Sequence, residues 1–418
     1  MSEQASAERT NSHPLAGKIM SGADIVVQVL ADEGVDTIFG YSGGAILPTY
    51  DAVFRYNKLH GGEGGRSPMP LIVPANEQGA GFMASGYARA SGKVGVVMVT
   101  SGPGATNTVT PVRDCMADSV PVVVICGQVP RSAVGTDAFQ EAPVSAIMGA
   151  VAKHVFLVTD PERLEATIRS AFELARTGRP GPVVIDIPKD VQNWEGAFMG
   201  SGALPLTGYR RRLQAVTENR LTDESCERFF EMLAESERPL IYAGGGVINA
   251  NAAKSMRRLA SEYGIPVTTT LMALGASDTR HPLALHMLGM HGIASANYAV
   301  EDCDFLMAVG ARFDDRVAGD PARFAPNAKR IAHFDVDSAE IGKVKRVDWH
   351  HVGLLDRDLT ELLAYGRRIG FSKDFQAWHE EIAHLKQEHC LNYDRDSELI
   401  QPYAVIEEIN KHAKGEAI

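Results

Sequence analysis

Glu77 is the residue whose position in the sequence most suggests chemistry. It lies at the end of an extended apolar segment and at the start of a helix of small residues, and its Pro, Ala and Gly neighbours offer no cationic partner. A carboxylate in that setting could share or donate a proton. It could equally be an ordinary acid at a helix N-terminus that accepts hydrogen bonds from backbone N–H groups. Together with the glycine-rich loop at residues 101–107, it predicts a ligand site with one charged contact.

Two glycine-containing turns, residues 41–45 and 101–107, each follow a strand and precede a helix. Ligands in open α/β sheets bind at such turns. Neither turn matches the phosphate-binding P-loop or the dinucleotide GxGxxG pattern. Each alone is explained equally well as a tight turn whose glycines adopt positive φ.

A second group of strand ends carries Gly, Arg and Asp. Residues 244–246 are three consecutive glycines that open a helix after one strand, residues 310–316 follow another strand, and Asp335 ends a third. A helix N-terminus with close backbone approach suits a pyrophosphate. The three strand ends together predict a nucleotide site.

Metal binding is not predicted. The 13 histidines show no HxH or HExxH spacing, and the five cysteines are scattered, odd in number and without a CxxC pair. These patterns indicate neither a zinc site nor a disulfide framework. Such cysteine usage is typical of a reducing compartment, and we expect a cytoplasmic protein.

Charge and hydropathy exclude two classes of partner. The net charge of -11 argues against nucleic acid, because phosphates need a basic face. The longest apolar runs, such as residues 120–126, are much shorter than a membrane span. The first 18 residues are polar and lack the apolar core of a signal peptide.

The elements that must position these residues alternate between helical and extended patterns. Apolar strands such as residues 94–100, 120–126 and 183–187 are typical of parallel strands covered on both faces. We therefore predict an α/β protein with two doubly wound parallel-sheet domains. The predicted division is a disordered tail over 1–18, a first domain over 19–192, an irregular linker over 193–222, a second domain over 223–366 and a helical segment over 367–418.

Seven stretches carry a family resemblance and occur in family order. They are residues 40–48, 76–80, 100–107, 135–141, 178–182, 287–292 and 310–317. The run Gly-Thr-Asp-Ala-Phe-Gln-Glu at 135–141 is particularly specific. On these residues the chain resembles the catalytic large subunit of acetolactate synthase, also called acetohydroxyacid synthase, a thiamine-diphosphate-dependent family.

The resemblance implies a fold and an activity. The fold has a pyrimidine-binding domain, a central domain that holds FAD and a diphosphate-binding domain, of which residues 367–418 would be only the truncated start. The activity decarboxylates pyruvate on thiamine diphosphate and ligates the two-carbon unit to pyruvate or 2-oxobutyrate. The products are 2-acetolactate and 2-aceto-2-hydroxybutyrate, in the first common step of branched-chain amino-acid biosynthesis.

The resemblance also implies roles for individual residues. Glu77 matches the catalytic glutamate that protonates the aminopyrimidine ring of the cofactor. Gly43 would lie near the reacting carbons, Gln140 beside the cofactor and Lys153 near the substrate entrance. The FAD contacts fall on Ser119, Arg212, Gly245, Thr270, Leu271, Met272, Ala273, Leu288, Gly289, Met290, His291, Gly310, Ala311, Arg312, Phe313, Asp314, Asp315 and Asp335.

Three departures from the family pattern leave alternatives open. Ser42 stands where the family usually has Pro, and residues 353–355 stand where it usually places Gly-Asp. The Gly-Asp-Gly…Asn segment that binds Mg²⁺ and the diphosphate is not in this sequence. The Mg²⁺ ligands would then lie in the missing domain. A second hypothesis is an inactive remnant or split-enzyme fragment that binds FAD or a partner subunit.

A third hypothesis is a related thiamine enzyme, such as glyoxylate carboligase or an oxo-acid decarboxylase. The retained Glu77 argues against the carboligase, in which that acid is replaced. As partners the resemblance implies a second copy, in a homodimer or tetramer, and it leaves room for a regulatory small subunit.

Overall fold

The computed structural model describes residues 13–61, 67–414 and 416. The chain divides into two compact units, Met1–Thr207 and Gly208–Ile418. Each unit is built on a six-stranded sheet. Most of the predicted N-terminal tail, residues 1–12, lies outside the described residues.

The first unit alternates strands and helices. Its strands are β1 (Ile19–Ser21), β2 (Ile38–Tyr41), β3 (Leu71–Ile72), β4 (Gly95–Val99), β5 (Val122–Gln128), β6 (His154–Leu157), β7 (Val183–Pro188) and β8 (Glu195–Ala197). Its helices are α1 (Gly22–Asp32), α2 (Leu47–His60), α3 (Glu77–Ser91), α4 (Pro103–Thr106), α5 (Val109–Asp118), α6 (Val144–Gly149), α7 (Leu164–Arg176) and α8 (Lys189–Gln192), with 3-10 turns at Arg131–Ala133 and Pro161–Arg163.

The main sheet of the first unit is parallel, with strand order β3-β2-β4-β5-β7-β6. β1 and β8 form a separate antiparallel pair. All residues of β4 and β5 are buried, because helices cover both faces of a sheet of this kind. The chain fills the sheet outward in two directions from β2 and β4, so their carboxyl ends form a topological switch point.

Helix α3 packs closely on this sheet because its inner face is made of small residues. Ala80, Ala84 and Ala88 recur at four-residue spacing and are buried. A Cβ atom on Gly95, the first residue of β4, would lie 2.4 Å from the Ala84 carbonyl oxygen. This short distance shows that α3, whose first residue is Glu77, packs closely against β4.

The second unit also alternates strands and helices. Its strands are β9 (Pro239–Ala243), β10 (Val267–Thr269), β11 (Ala284–Met287), β12 (Phe305–Val309), β13 (Arg330–Asp335) and β14 (Trp349–Val352). Its helices are α9 (Thr207–Glu218, beginning at the last residue of the first unit), α10 (Asp223–Glu235), α11 (Gly245–Asn249), α12 (Ala253–Tyr263), α13 (Ala294–Asp302), α14 (Asp315–Ala318), α15 (Leu355–Arg368), α16 (Gln376–Glu388) and α17 (Pro402–Ala413), with a 3-10 turn at Leu271–Ala273.

The sheet of the second unit is parallel, with order β11-β10-β9-β12-β13-β14. Numbered within the unit, this is 3-2-1-4-5-6, the order of dinucleotide-binding folds, with its switch point between β9 and β12. The predicted pair of doubly wound parallel sheets is confirmed.

Three local expectations differ from the structure. Residues 13–18, part of the predicted disordered tail, form a turn in which Gly17 N–H donates to the Phe198 carbonyl at 2.8 Å. The segment 193–222, predicted to be irregular, contains α9, whose residues are all at least partly exposed. Such a helix lacks the apolar stripe that would have revealed it. The strand over 183–187, predicted as continuously apolar, contains the buried Asp186.

No helix in the described part of the chain is long and apolar enough to cross a membrane.

Candidate active site

The loops that follow β2 and β4 meet at the switch point of the first unit. A Cβ atom on Gly43 would lie 2.5 Å from Cγ2 of Thr100, so this position accepts only glycine without movement. Thr100 Oγ1 also accepts a hydrogen bond from the Ala45 N–H at 3.3 Å. Thr100 therefore links the two glycine turns that the sequence singled out.

Glu77 is the first residue of α3 and is 9% exposed. The side chain of Asn76 caps the helix by accepting from the Gly79 N–H at 2.8 Å, which leaves the Glu77 carboxylate free for other partners. Glu77 Oε2 accepts from Asn107 Nδ2 at 2.8 Å. Oε1 faces the backbone of Gly104, where a Cβ atom would be 3.7 Å away. The carboxylate thus lies beside the 101–107 loop, as its helix-start position and the loop's glycines predict.

Tyr50 lies behind these loops. Its hydroxyl donates to the Met98 carbonyl at 2.9 Å. Burial, with a smaller contribution from the negative charge of Glu77, raises the pKa of Tyr50. The phenol therefore stays neutral and remains a donor to the end of β4.

Gln140 reaches the same loop through its backbone. It has a φ of +57°, an uncommon conformation for a residue with a side chain. A Cβ atom on Gly102, whose own φ is +55°, would lie 2.4 Å from the Gln140 carbonyl oxygen. Gly43, Glu77 and Gln140 are thus joined through one loop.

Gly102→Ala tests that close approach. We expect it to lower the free energy of unfolding of the first unit by about 3 kcal/mol or more, because positive-φ strain adds to a backbone clash. The matched control is Gly34→Ala, since Gly34 has a φ of +77° and nothing within 4 Å of an added Cβ. It should cost only about 1–2 kcal/mol of conformational strain. Equal losses in denaturant unfolding would contradict the tight contact between Gly102 and Gln140.

Lys153 and Ser119, also predicted site residues, form a second cluster. Lys153 Nζ donates to the carbonyls of Leu174, Thr177 and Arg179 at 2.5, 2.8 and 2.7 Å. Ser119 has a φ of +58° and its Oγ accepts from Arg179 Nε at 2.9 Å. These bonds give both side chains a structural role at the end of α7, and their predicted contacts with substrate and FAD stay predictions.

Several supporting residues were missed by sequence reasoning. Gln192 is fully buried, and its Nε2 donates to the carbonyls of Ala45 and Ile187 at 2.8 and 3.0 Å. Its Oε1 accepts from Thr49 Oγ1 at 2.9 Å. Asn107 lies in the stretch 100–107 that carries the family resemblance, but the sequence indicated no role for it. The contacts of Gln192 with Ala45 and Thr49, and of Asn107 with Glu77, join residues 30 or more positions apart in sequence, so only the fold reveals them.

In the second unit, two glycine-containing turns pack against each other at the switch point. Gly246 N–H donates to the Gly310 carbonyl at 3.0 Å, and a Cβ atom on Gly246 would lie 2.7 Å from Gly310 Cα. Gly244 N–H donates to the Val309 carbonyl at 2.9 Å. The three-glycine turn that carries Gly245 and the turn that opens at Gly310 are therefore packed together.

The other residues predicted to bind FAD surround the same edge of the sheet. Thr270, directly after β10, has a buried Oγ1 without a hydrogen-bond partner among the described residues. Gly289 has a φ of +96° and is held by Asn297, which accepts from its N–H at 2.8 Å. The remaining predicted members of these three segments are Leu271, Met272, Ala273, Leu288, Met290 and His291, then Ala311, Arg312, Phe313, Asp314 and Asp315.

Polar side chains at this edge of the second unit's sheet also form an ion pair and a hydrogen bond. Arg312 Nη2 pairs with Asp314 Oδ2 at 2.5 Å, and Asp335 Oδ1 accepts from the Asp337 N–H at 2.9 Å. Leu271 and Met290, both apolar, are 67% and 68% exposed. Arg212, in contrast, is an exposed residue of α9, and its predicted FAD contact stays a prediction. Within residues 13–61, 67–414 and 416, no three His, Cys, Asp or Glu side chains cluster as a metal site.

Comparison with known families decides the chain's affiliation. Residues 20–147 match the family described as "Thiamine pyrophosphate enzyme, N-terminal TPP binding domain", and residues 226–362 match "Thiamine pyrophosphate enzyme, central domain". The chain belongs to the thiamine pyrophosphate enzymes. The N-terminal match contains β2, β4, Glu77 and the 101–107 loop, and the central match contains the packed glycine turns that follow β9 and β12.

This thiamine pyrophosphate enzyme chain is similar to acetolactate synthase large subunits. It is 43% identical over 401 residues to the "Acetolactate synthase large subunit" of Corynebacterium glutamicum, covering 96% of this chain and 61% of that protein. It is 44% identical over 393 residues to the "Probable acetolactate synthase large subunit" of Methanocaldococcus jannaschii, covering 93% and 63%. To the "Acetolactate synthase, chloroplastic" of Arabidopsis thaliana it is 42% identical over 406 residues, covering 95% and 57%. The chain therefore spans about three fifths of the length of these relatives.

Proposed function

We propose that this chain carries the pyrimidine-binding and central domains of an acetolactate synthase. The observation that carries the proposal is the buried Glu77 carboxylate beside the 101–107 loop, in a chain about 43% identical to acetolactate synthase large subunits. The substrates would be pyruvate and a second 2-oxo acid, either pyruvate or 2-oxobutyrate.

The residues around Glu77 fit thiamine diphosphate. One carboxylate oxygen is occupied by Asn107, and the other faces a glycine, so the wall beside it has no side chain to block a flat ring. When bound, the cofactor supplies the carbon nucleophile that attacks the 2-oxo acid carbonyl. Glu77 would hold a proton at a ring nitrogen, Gly43 would leave room at the reacting carbons, and Gln140 would border the cofactor.

The second unit fits FAD. The order of its sheet is that of dinucleotide-binding folds, and Gly246 and Gly310 pack together without side chains at its switch point. The unpartnered Thr270 Oγ1 follows β10, the strand next to β9. We propose that FAD lies there as a structural cofactor, since the reaction has no net redox change.

Gly246→Ala tests the flavin proposal. The added Cβ atom would press on Gly310 Cα, so we expect the affinity for FAD to fall at least about tenfold. The control is Gly208→Ala, because a Cβ atom at Gly208 meets nothing within 4 Å. FAD binding is measured by quenching of flavin fluorescence during titration, with circular dichroism to verify folding. Equal FAD affinity in both folded variants would argue against the site.

Further proposals follow from the same affiliation. We propose Mg²⁺ as a partner of the cofactor's diphosphate, a homodimer or tetramer as the assembly, and a regulatory small subunit as a partner. A cytoplasmic location is supported by the cysteines, since Cys115, Cys126, Cys226, Cys303 and Cys390 are all unpaired.

An assay of acetolactate formation tests the proposed function. The purified chain is supplied with thiamine diphosphate, Mg²⁺, FAD and pyruvate, alone and with the C-terminal part of the Corynebacterium relative that it does not cover, added as a separate polypeptide. We expect acetolactate in at least one of these mixtures. FAD binding without turnover in either mixture would favour the remnant hypothesis instead.

A further inference from the structure

We infer that Gln128 and Asp186 are positioning residues that hold the Gln140 segment against the Glu77 loop. The catalytic meaning of this pair rests on the proposed function, whereas the geometry of the pair stands on its own. Neither residue touches the Glu77 carboxylate, so the role is exerted through backbone.

Gln128 is the last residue of β5, and both its amide oxygen and its amide nitrogen make hydrogen bonds. Its Oε1 accepts from the Val129 N–H at 2.9 Å, which fixes the orientation of the amide. Its Nε2 then donates one hydrogen to Asp186 Oδ2 at 3.0 Å and the other to the Ala142 carbonyl at 3.1 Å. Gln128 is 2% exposed, so each of these bonds is made without competing water.

Asp186 orients that amide from the neighbouring strand. It lies on β7, in register with Cys126 of β5, and is 2% exposed. Its Oδ2 faces Gln128, while its Oδ1 is buried without a hydrogen-bond partner among the described residues. A buried carboxyl group is costly, and a purely structural role would be served equally well by an apolar residue in this strand. A role in orienting the Gln128 amide toward the Ala142 carbonyl accounts for the presence of Asp186.

The Ala142 carbonyl connects the pair to the site. Ala142 is two residues beyond Gln140, and its carbonyl also accepts from the Val144 N–H, the first of α6. Gln140 in turn contacts Gly102 through its own carbonyl. The path therefore runs from the buried carboxyl group through an amide and a backbone segment to the loop beside Glu77.

Regional hydrogen exchange of the full chain tests this inference. In Gln128→Met the volume is kept and both donated bonds are lost, so we expect amides of residues 135–144 to exchange on the order of tenfold faster. Asp186→Asn keeps an acceptor oxygen for Gln128 and should retain protection of that segment, whereas Asp186→Leu should lose it. If Gln128→Met does not fold, Gln128→Asn replaces it, since its amide is one methylene short of both partners.

Gln192→Met is the matched control. Gln192 is equally buried but bonds to the Ala45 carbonyl, so its loss should loosen residues 42–49 and leave residues 135–144 protected. Unchanged exchange of residues 135–144 in the Gln128 variants would overturn the inference. Loosening of both segments by both Met variants would also overturn it, because that result means general loss of packing.

Catalysis provides a separate readout. In mixtures with turnover, Gln128→Met should lower kcat with little change in KM for pyruvate, because the bonds it removes are made to Asp186 and to a main-chain carbonyl. If the unmodified chain shows no turnover, the proposed function fails, and the exchange data still decide whether the pair positions the segment.

Discussion

Glu77→Gln is expected to lower acetolactate formation by about 10²–10⁴-fold, the range typical of losing a general acid–base group. The amide keeps the shape of the side chain and can still accept from Asn107 through its oxygen. It cannot give or take the proton that the proposed role assigns to the Glu77 carboxyl group. Turnover is compared at saturating thiamine diphosphate, so that weaker cofactor binding does not mimic the effect.

Glu195→Gln is a suitable control for that result. Glu195 is exposed on β8 and undergoes the same chemical change outside the candidate site. Its turnover should match that of the unmodified chain. Residual activity of Glu77→Gln within a few-fold of this control would exclude Glu77 from the catalytic role.

Asp186→Asn is expected to change how the stability of the first unit depends on pH. Burial raises the pKa of Asp186 from 3.8 to about 7, and the Gln128 hydrogen bond only partly opposes that shift. Between these two values the folded chain holds a proton that the unfolded chain has released, so stability falls as the pH rises. Above about pH 7 the full cost of the buried charge is present.

The expected size of this effect is about 3 kcal/mol between pH 5 and pH 8, since each pKa unit corresponds to about 1.4 kcal/mol. The Cys126 thiol, in register with Asp186, has its pKa raised well above its usual value by burial and stays protonated over this range. In Asp186→Asn the decline should be absent from the opening free energies of β5 and β7 amides, measured by hydrogen exchange. An equal decline in both proteins would assign the pH dependence to other groups.

Central strands were predictable from the sequence, and most edge strands were not. The strands predicted over residues 94–100, 120–126 and 183–187 correspond to Gly95–Val99, Val122–Gln128 and Val183–Pro188, because buried parallel strands are continuous apolar runs in the sequence. His154–Leu157 and Trp349–Val352 were missed. Both lie at sheet edges and carry polar or partly exposed residues that hide the strand pattern.

The candidate site was only partly predictable, for a similar reason. Glu77 and the glycine turns are local signals, visible as a carboxylate at a helix start and as Gly after a strand. The pairing of Gln128 with Asp186 depends on two strands 58 residues apart coming into register. The one available signal was a carboxylate within the apolar run of β7.

Gln192 and Gln128 donate hydrogen bonds to the main-chain oxygens of Ala45 and Ala142, respectively. These two hydrogen bonds therefore do not depend on which side chains the loops carry. Ser42 lies in the same turn as Ala45, whose carbonyl Gln192 holds from inside the core. The surface side chains of these loops can therefore change while the buried amides of Gln128 and Gln192 keep the loop backbones in place.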